Sequence, residues 1–125
     1  MNRGVMEDDI FIDIKLEYAI STNEFLEVVE SVGWKTYSEE QITKALRNTM
    51  YMVKATIGGK LAGIERVVGD YSIVCILSDI CVKLEFQGKW IRLKIVNELK
   101  RLIEDGVKEG EKIKKDFIII RYFIV

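Results

Sequence analysis

The sequence predicts an α/β (α+β) domain whose central sheet is mostly antiparallel. Three observations carry that expectation. Short strand-like runs, alternating or rich in β-branched residues, recur along the chain. Two Ser-initiated capping boxes and one long amphipathic stripe mark helices. Tight glycine turns join consecutive strand-like runs, a connection that antiparallel neighbours allow and parallel ones do not. The 125 residues show no repeat, linker or low-complexity stretch, so 1–125 read as a single domain.

The elements follow in order. Residues 10–18 (IFIDIKLEY) alternate apolar and polar, the pattern of a half-buried strand. Ser21 and Glu24 have capping-box spacing, and Phe25, Leu26, Val28, Val29 and Val32 follow at helical spacing to Gly33, a natural C-terminal cap. Ser38 and Gln41 form a second box, with Ile42, Ala45 and Leu46 as the apolar face of a short helix. Tyr51–Ile57 and Leu61–Val68 read as a hairpin across Gly58-Gly59. Gly69-Asp70 turns into a long apolar strand, Tyr71–Val82, and Lys83–Lys89 is a loop. A helix spans about Trp90 to Glu109, with Ile95, Val96, Leu99, Leu102 and Ile103 in one stripe. Phe117–Val125 is a buried strand that can return parallel to Tyr71–Val82 through a right-handed crossover. The order is β-α-α-β-β-β-α-β.

Composition narrows the chemistry. Apolar residues make up 49% and charged residues 31%, a globular balance. The absence of histidine removes Ser-His and Cys-His pairs, imidazole bases and imidazole metal ligands. Proline is absent too, although average usage would give about six. Residues 1–40 hold ten acids and three bases, whereas Lys83–Arg101 hold six bases and two acids. Two faces that attract each other explain this asymmetry, and so does a basic site for an anionic ligand in the second half. With a pI near 5.6 and no basic-aromatic interleaving, nucleic acid is not an expected partner. Cys75 and Cys81 lie about 20 Å apart along one strand-like run, too far for a bridge. They read as buried thiols of a cytoplasmic protein, and no metal site is expected. The acidic start, MNRGVMEDD, lacks signal-peptide character, and the longest apolar stretch is nine residues interrupted by Arg121. No membrane association is expected.

At Ser78–Ile91 (S-D-I-C-V-K-L-E-F-Q-G-K-W-I) the chain resembles motif A of the GNAT N-acetyltransferase superfamily, an apolar strand followed by [FY]-Q-G-K-G-I-G opening a helix. Gly33-Trp34, Tyr37-Ser38, Lys44-Ala45-Leu46, Gly59–Gly63 and Arg66–Asp70 resemble the first half of small bacterial members. The similarity covers roughly residues 10–110. It implies an acetyl-CoA donor, with Gln87, Gly88, Lys89, Trp90, Ile91, Arg92 and Leu93 as the pyrophosphate loop. It also implies that Ile80, Cys81 and Val82 pair with the pantetheine arm through their backbone. The physical basis is a glycine loop that presents amides and the positive end of a helix dipole to phosphates.

Trp90 and Arg92 stand where the family has glycine, and Leu84 stands where it usually has proline. A backbone position with φ above zero would suit neither Trp90 nor Arg92. Family members usually add a further helix and two strands after the crossover strand, and that helix often carries the tyrosine that protonates the departing thiolate. Tyr122 lies inside the last strand-like run and does not take that role. Truncation or frameshift, a partner chain completing the sheet, and a swapped dimer all account for an apolar last strand at an open edge.

An attacking amine must lose a proton, to a carboxylate or to ordered water. The strand position that carries the carboxylate in some members is Ile76 here. Asp79 and Glu65 are the remaining candidates. Each also has a structural reading, a loop hydrogen bond for Asp79 and a solvent-facing strand position for Glu65. Trp34, Tyr37 and Tyr71 either line an acceptor pocket or pack the core. The resemblance implies an N-acetyltransferase acting on a small-molecule or peptide amine in a ternary complex. The alternative is a catalytically degenerate protein of that fold, kept as a binding or oligomerisation module. A homodimer through the last strand is compatible with both.

Overall fold

The computed structural model describes residues 14–34, 37–70, 72–88, 90–106 and 118–122. Its elements are β1 (Ile14–Glu17), α1 (Thr22–Ser31), α2 (Glu39–Arg47), β2 (Tyr51–Ile57), β3 (Lys60–Gly69), β4 (Cys75–Val82), a 3-10 turn (Leu84–Phe86), α3 (Ile91–Asp105) and β5 (Ile118–Tyr122). The order is the one the sequence predicts. Residues 10–13, 107–109, 117 and 123–125 of the expected elements lie outside the described residues.

Both capping boxes form. Ser21 Oγ accepts from the Glu24 amide at 3.1 Å while Glu24 accepts from the Ser21 amide at 2.9 Å. Ser38 and Gln41 repeat the exchange at 3.1 and 3.0 Å. Gly33 takes φ +80°. It ends α1 with two bonds, its own N–H to the Glu30 carbonyl and the Trp34 N–H to the Val29 carbonyl. That is the Schellman arrangement, which favours glycine at this position.

The sheet order is β1-β2-β3-β4-β5. The first four strands are antiparallel neighbours, and β5 returns parallel to β4 after the α3 crossover. Gly58 and Gly59, at φ +56° and +81°, make the two-residue turn between β2 and β3. The strand expected from Tyr71 begins at Cys75 instead. The Asp70 carboxylate accepts the amides of Ser72, Ile73 and Val74 at 2.9, 2.8 and 3.2 Å, which curls the chain before the ladder starts. Those amides hold the Asp70 carboxyl below its usual range.

Helices cover both sheet faces. On one face Val53, Val67, Leu77, Ile80 and Val82 pack against Ile91, Ile95, Leu99 and Ile103 of α3. On the other Ile64 and Cys81 pack against Phe25, Val28 and Val29 of α1 and Ile42 of α2. Cys75 belongs to the first cluster and Cys81 to the second, so the two buried free thiols lie on opposite faces of the sheet. This double cover corrects the solvent-facing reading of Glu65, which is only 1% exposed. Glu65 is paired with Val53 on the central strand β3, on the side that α3 covers. A polar residue within an alternating strand reads as solvated only when one sheet face is open.

Candidate functional site

The loop that enters α3 is built from left-handed turns. Gly88 has φ +77° and Trp90 has φ +65°, ψ +10°. Among the described residues Trp90 is the non-glycine residue in this region. Arg92, by contrast, is the second residue of α3 and has helical backbone. Of the two positions where glycine is missing, only Trp90 therefore demands a conformation that glycine would supply at no cost. The Leu84–Phe86 turn and a bond from Gln87 Nε2 to the Val82 carbonyl at 2.9 Å tie the loop to the end of β4. Ile91 is buried and anchors the helix start in the core.

The N–H groups of Ile91, Arg92 and Leu93 have no acceptor within their own helix. Trp90 provides no side-chain cap, and the first turn carries no acid. This end of α3 thus presents amides and the positive end of the dipole. It opens on a groove of ≈ 500 Å³ lined by Val82, Phe86, Trp90, Arg92, Val96 and Lys100, among others. Trp90 is 57% exposed. An apolar wall with cationic side chains at an uncapped helix N-terminus fits a long apolar arm ending in phosphates.

Two residues before Val82, which lines this groove, β4 carries a bulge. Against β3, Ser78 pairs with Arg66 and Cys81 with Ile64, so two residues, Asp79 and Ile80, face Glu65 alone. Against β5, Leu77 pairs with Ile120 and Ile80 with Tyr122, again one residue extra on β4. Both neighbours register the same insertion. A bulge leaves backbone groups of the extra residue outside the ladder. No glycine marks it in the sequence.

The sequence-predicted residues distribute as follows. Gln87, Gly88, Trp90, Ile91, Arg92 and Leu93 come together around the groove. Lys89 lies outside the described residues. Ile80 has Tyr122 as its β5 partner, while Cys81 and Val82 lie beyond the described end of β5. Asp79 is at the bulge by its backbone, and its side chain is outside the description. Glu65 lies opposite the bulge within the sheet core. Trp34 packs on the α1 cluster, Tyr71 lies outside the described residues, and Tyr37 is half exposed.

Tyr37, one of whose two sequence readings was a pocket-lining residue, lines a second groove whose other walls the sequence did not reveal. The groove measures ≈ 530 Å³ and lies between α2 and β3, lined by Tyr37, Gln41, Lys44, Asn48 and Arg66. The available signal was the Glu65-Arg66 pair inside an otherwise apolar strand.

The charge asymmetry resolves into cross-chain ion pairs. Lys54 Nζ lies 2.6 Å from Glu24 and 3.4 Å from Glu17, and Lys83 pairs with Glu27. Burial alone would raise the Glu24 carboxyl, but Lys54 and the Ser21 amide outweigh it and hold it low. Glu98 of α3 is held by Arg101 at 2.8 Å and by the Tyr18 hydroxyl, which together bring its carboxyl down to about 2. Among the described residues no three His, Cys, Asp or Glu side chains converge as a metal site. No helix there is long and apolar enough to cross a membrane.

No protein-family model and no curated protein matches the sequence. Solved structures do match. A probable acetyltransferase from Staphylococcus aureus superposes with a TM-score of 0.73 at 22% identity, over 88% of this chain and 80% of that one. A GNAT-family acetyltransferase from Streptococcus pneumoniae gives 0.68 at 20%, over 90% and 76%. An aminoglycoside acetyltransferase from a soil metagenomic sample, solved with sisomicin, gives 0.66 at 16%, over 91% and 80%. The chain has the GNAT fold.

Proposed function

We propose that this chain, built on the GNAT fold, is an acetyl-CoA-dependent N-acetyltransferase that moves an acetyl group directly to an amine within a ternary complex. The observation that supports it most is the β4 bulge, two residues before the groove-lining Val82. Acetyl-CoA would bring the activated acyl thioester. The amides of Ile91, Arg92 and Leu93, with the Arg92 and Lys100 side chains, attract its phosphates. Backbone N–H groups released at the bulge face the acyl carbonyl and stabilise the negative charge that develops on its oxygen. Holding amine and acyl group together supplies much of the acceleration. The amine proton leaves to ordered water or to Asp79, because Ile76 is apolar and Glu65 is enclosed in the sheet core. This chemistry calls for neither histidine nor a metal, and with two buried thiols it suits a cytoplasmic protein.

A thermal-shift titration with CoA and acetyl-CoA tests the donor site. Ligand at one hundred times its Kd should add about 2.7 kcal/mol to the stability of the folded protein. An unchanged midpoint at millimolar cofactor would refute the enzyme reading. One observation favours the second reading, a donor site lost and the fold kept as a binding or assembly module. The strained Trp90 carries its indole on the groove wall. Binding that is absent in the parent and gained in Trp90→Gly would select that reading. We also propose that two copies pair through β5, the last strand in the sheet order. Light scattering that reports a monomer at all concentrations would rule this out.

A further inference from the structure

We propose that Trp90 is the stacking surface for the purine of the donor, so that the α3 groove recognises the nucleotide half of coenzyme A as well as its acyl arm. This rests on the acetyltransferase reading and names a specificity-determining residue of its donor site. The indole is 57% exposed and stands on the groove wall. The groove keeps ≈ 500 Å³ with the indole in place, a volume within the ordinary range of ligand pockets. Trp90 therefore bounds the space for a ligand and does not fill it.

The neighbouring walls assign the parts of that ligand. Val82 is only 4% exposed and lies two residues past the bulge. It pairs with Gly63, yet the bond beside it runs from the Lys83 N–H to the Ala62 carbonyl, at 2.8 Å. In an antiparallel ladder this makes Val82 with Gly63 a non-hydrogen-bonded pair, so the Val82 N–H and C=O point away from β3. The carbonyl accepts from Gln87 Nε2 at 2.9 Å. An apolar arm that carries amides suits this buried end. The amides of Ile91, Arg92 and Leu93 suit phosphates. Trp90 immediately precedes those three residues and is far more exposed than Val82. Beyond its phosphates coenzyme A carries adenosine, and there the groove offers an indole face. The surrounding charge suits a polyanion. Lys83–Arg101 hold six bases and two acids, and one of those acids, Glu98, is already bound by Arg101 and Tyr18. Stacking needs no hydrogen-bond match, because every base has a π face. Tryptophan offers it from a large rigid ring with two side-chain torsions, so little freedom is lost on contact.

Intrinsic fluorescence tests the contact, because the chain has two tryptophans, Trp34 and Trp90. In Trp34→Phe the emission reports on Trp90 alone. If that variant fails to fold, the difference between the parent and Trp90→Phe isolates the same signal. The probes are CoA, adenosine 3′,5′-bisphosphate and 4′-phosphopantetheine, which lacks the purine. Expected is quenching by the first two and none by the third. By calorimetry Trp90→Ala should weaken CoA and adenosine 3′,5′-bisphosphate about tenfold or more, Trp90→Phe less, and 4′-phosphopantetheine not at all. In turnover Trp90→Ala should raise KM for acetyl-CoA more than it lowers kcat, because a purine contact is the same in ground and transition states. Equal CoA affinity in parent and Trp90→Ala, no quenching, or equal quenching by 4′-phosphopantetheine overturns the inference and leaves the donor site standing. Tighter CoA binding by Trp90→Ala overturns it in favour of an indole that obstructs. CoA that binds neither parent nor variants refutes the donor reading, and this inference falls with it.

Discussion

Replacing Trp90 with glycine and, separately, with alanine isolates the strain stored at the entrance to α3. Both variants lose the indole. It is 57% exposed, so a little under half of its surface is covered. A fully buried tryptophan covers about 150–250 Å², so the loss here is near 100 Å², or about 2 kcal/mol once denatured-state compaction is allowed for. Alanine keeps the left-handed backbone at φ +65° and its cost of about 1–2 kcal/mol. Glycine removes that cost and gives back about 0.5–1 kcal/mol through its looser unfolded chain. Trp90→Ala should therefore be about 2 kcal/mol less stable than the parent and Trp90→Gly about 1. For a chain of this size the gap corresponds to about 3–4 °C in Tm, readable by circular dichroism melts. Arg92→Gly is the control. Its backbone is already helical, so glycine there should only destabilise, by about 1 kcal/mol. If Trp90→Ala melts at or above Trp90→Gly, the left-handed strain is not there.

Three further outcomes follow from the described geometry. Gly69→Ala should cost about 1–3 kcal/mol in chemical denaturation, because its Cβ would fall 2.5 Å from the Val74 carbonyl and 2.9 Å from Cys75 Cα, both backbone atoms. Parental stability would mean that this turn can open. Leu84→Pro should raise stability by about 0.4–1 kcal/mol, since Lys83 at φ −57°, ψ 143° already has the backbone favoured before proline; a fall in Tm would show that the 3-10 turn needs the Leu84 amide. Glu98 has a folded-state carboxyl near 2 against 4.5 when unfolded. Its contacts with Arg101 and Tyr18 therefore stabilise fully above about pH 4.5 and fade as pH falls toward 2. The stability gap between the parent and Glu98→Gln, on the order of 1 kcal/mol at neutral pH after solvent screening, should close across that window. A gap independent of pH would contradict the assignment.

The chain's local signals were legible because short-range chemistry decides them. Ser21 with Glu24, Ser38 with Gln41, Gly33 and the Gly58-Gly59 pair each act within a few residues, and each forms as read. What stayed hidden depends on tertiary context. The start of β4 moved from Tyr71 to Cys75 because Asp70 captures three amides, a turn whose extent composition does not reveal. Glu65 looked solvated because alternation says which residues share a face but not whether that face is covered. The bulge carries no glycine or proline, and only the registers with β3 and β5 disclose it. The groove at Arg66 forms through α2, twenty or so residues earlier in the chain, which no local window joins to it.

The missing glycines also separate two roles that the motif joins. Glycine in a phosphate loop makes the left-handed path inexpensive, and it leaves room for the ligand. At position 90 the path persists without it, because its flanks fix it: Gly88 turns the chain, Gln87 fastens it to Val82, and the buried Ile91 seats the helix. A strained residue survives only where its surroundings over-determine it. The loop geometry is thus a property of these anchors rather than of the residue at 90. What Trp90 changes is the room, since its indole stands on the wall of the groove. Any effect of Trp90 on donor binding must then come from shape and contact at the groove wall, not from a misdirected helix. Side chains of graded size at this one position should tune affinity while leaving the start of α3 in place.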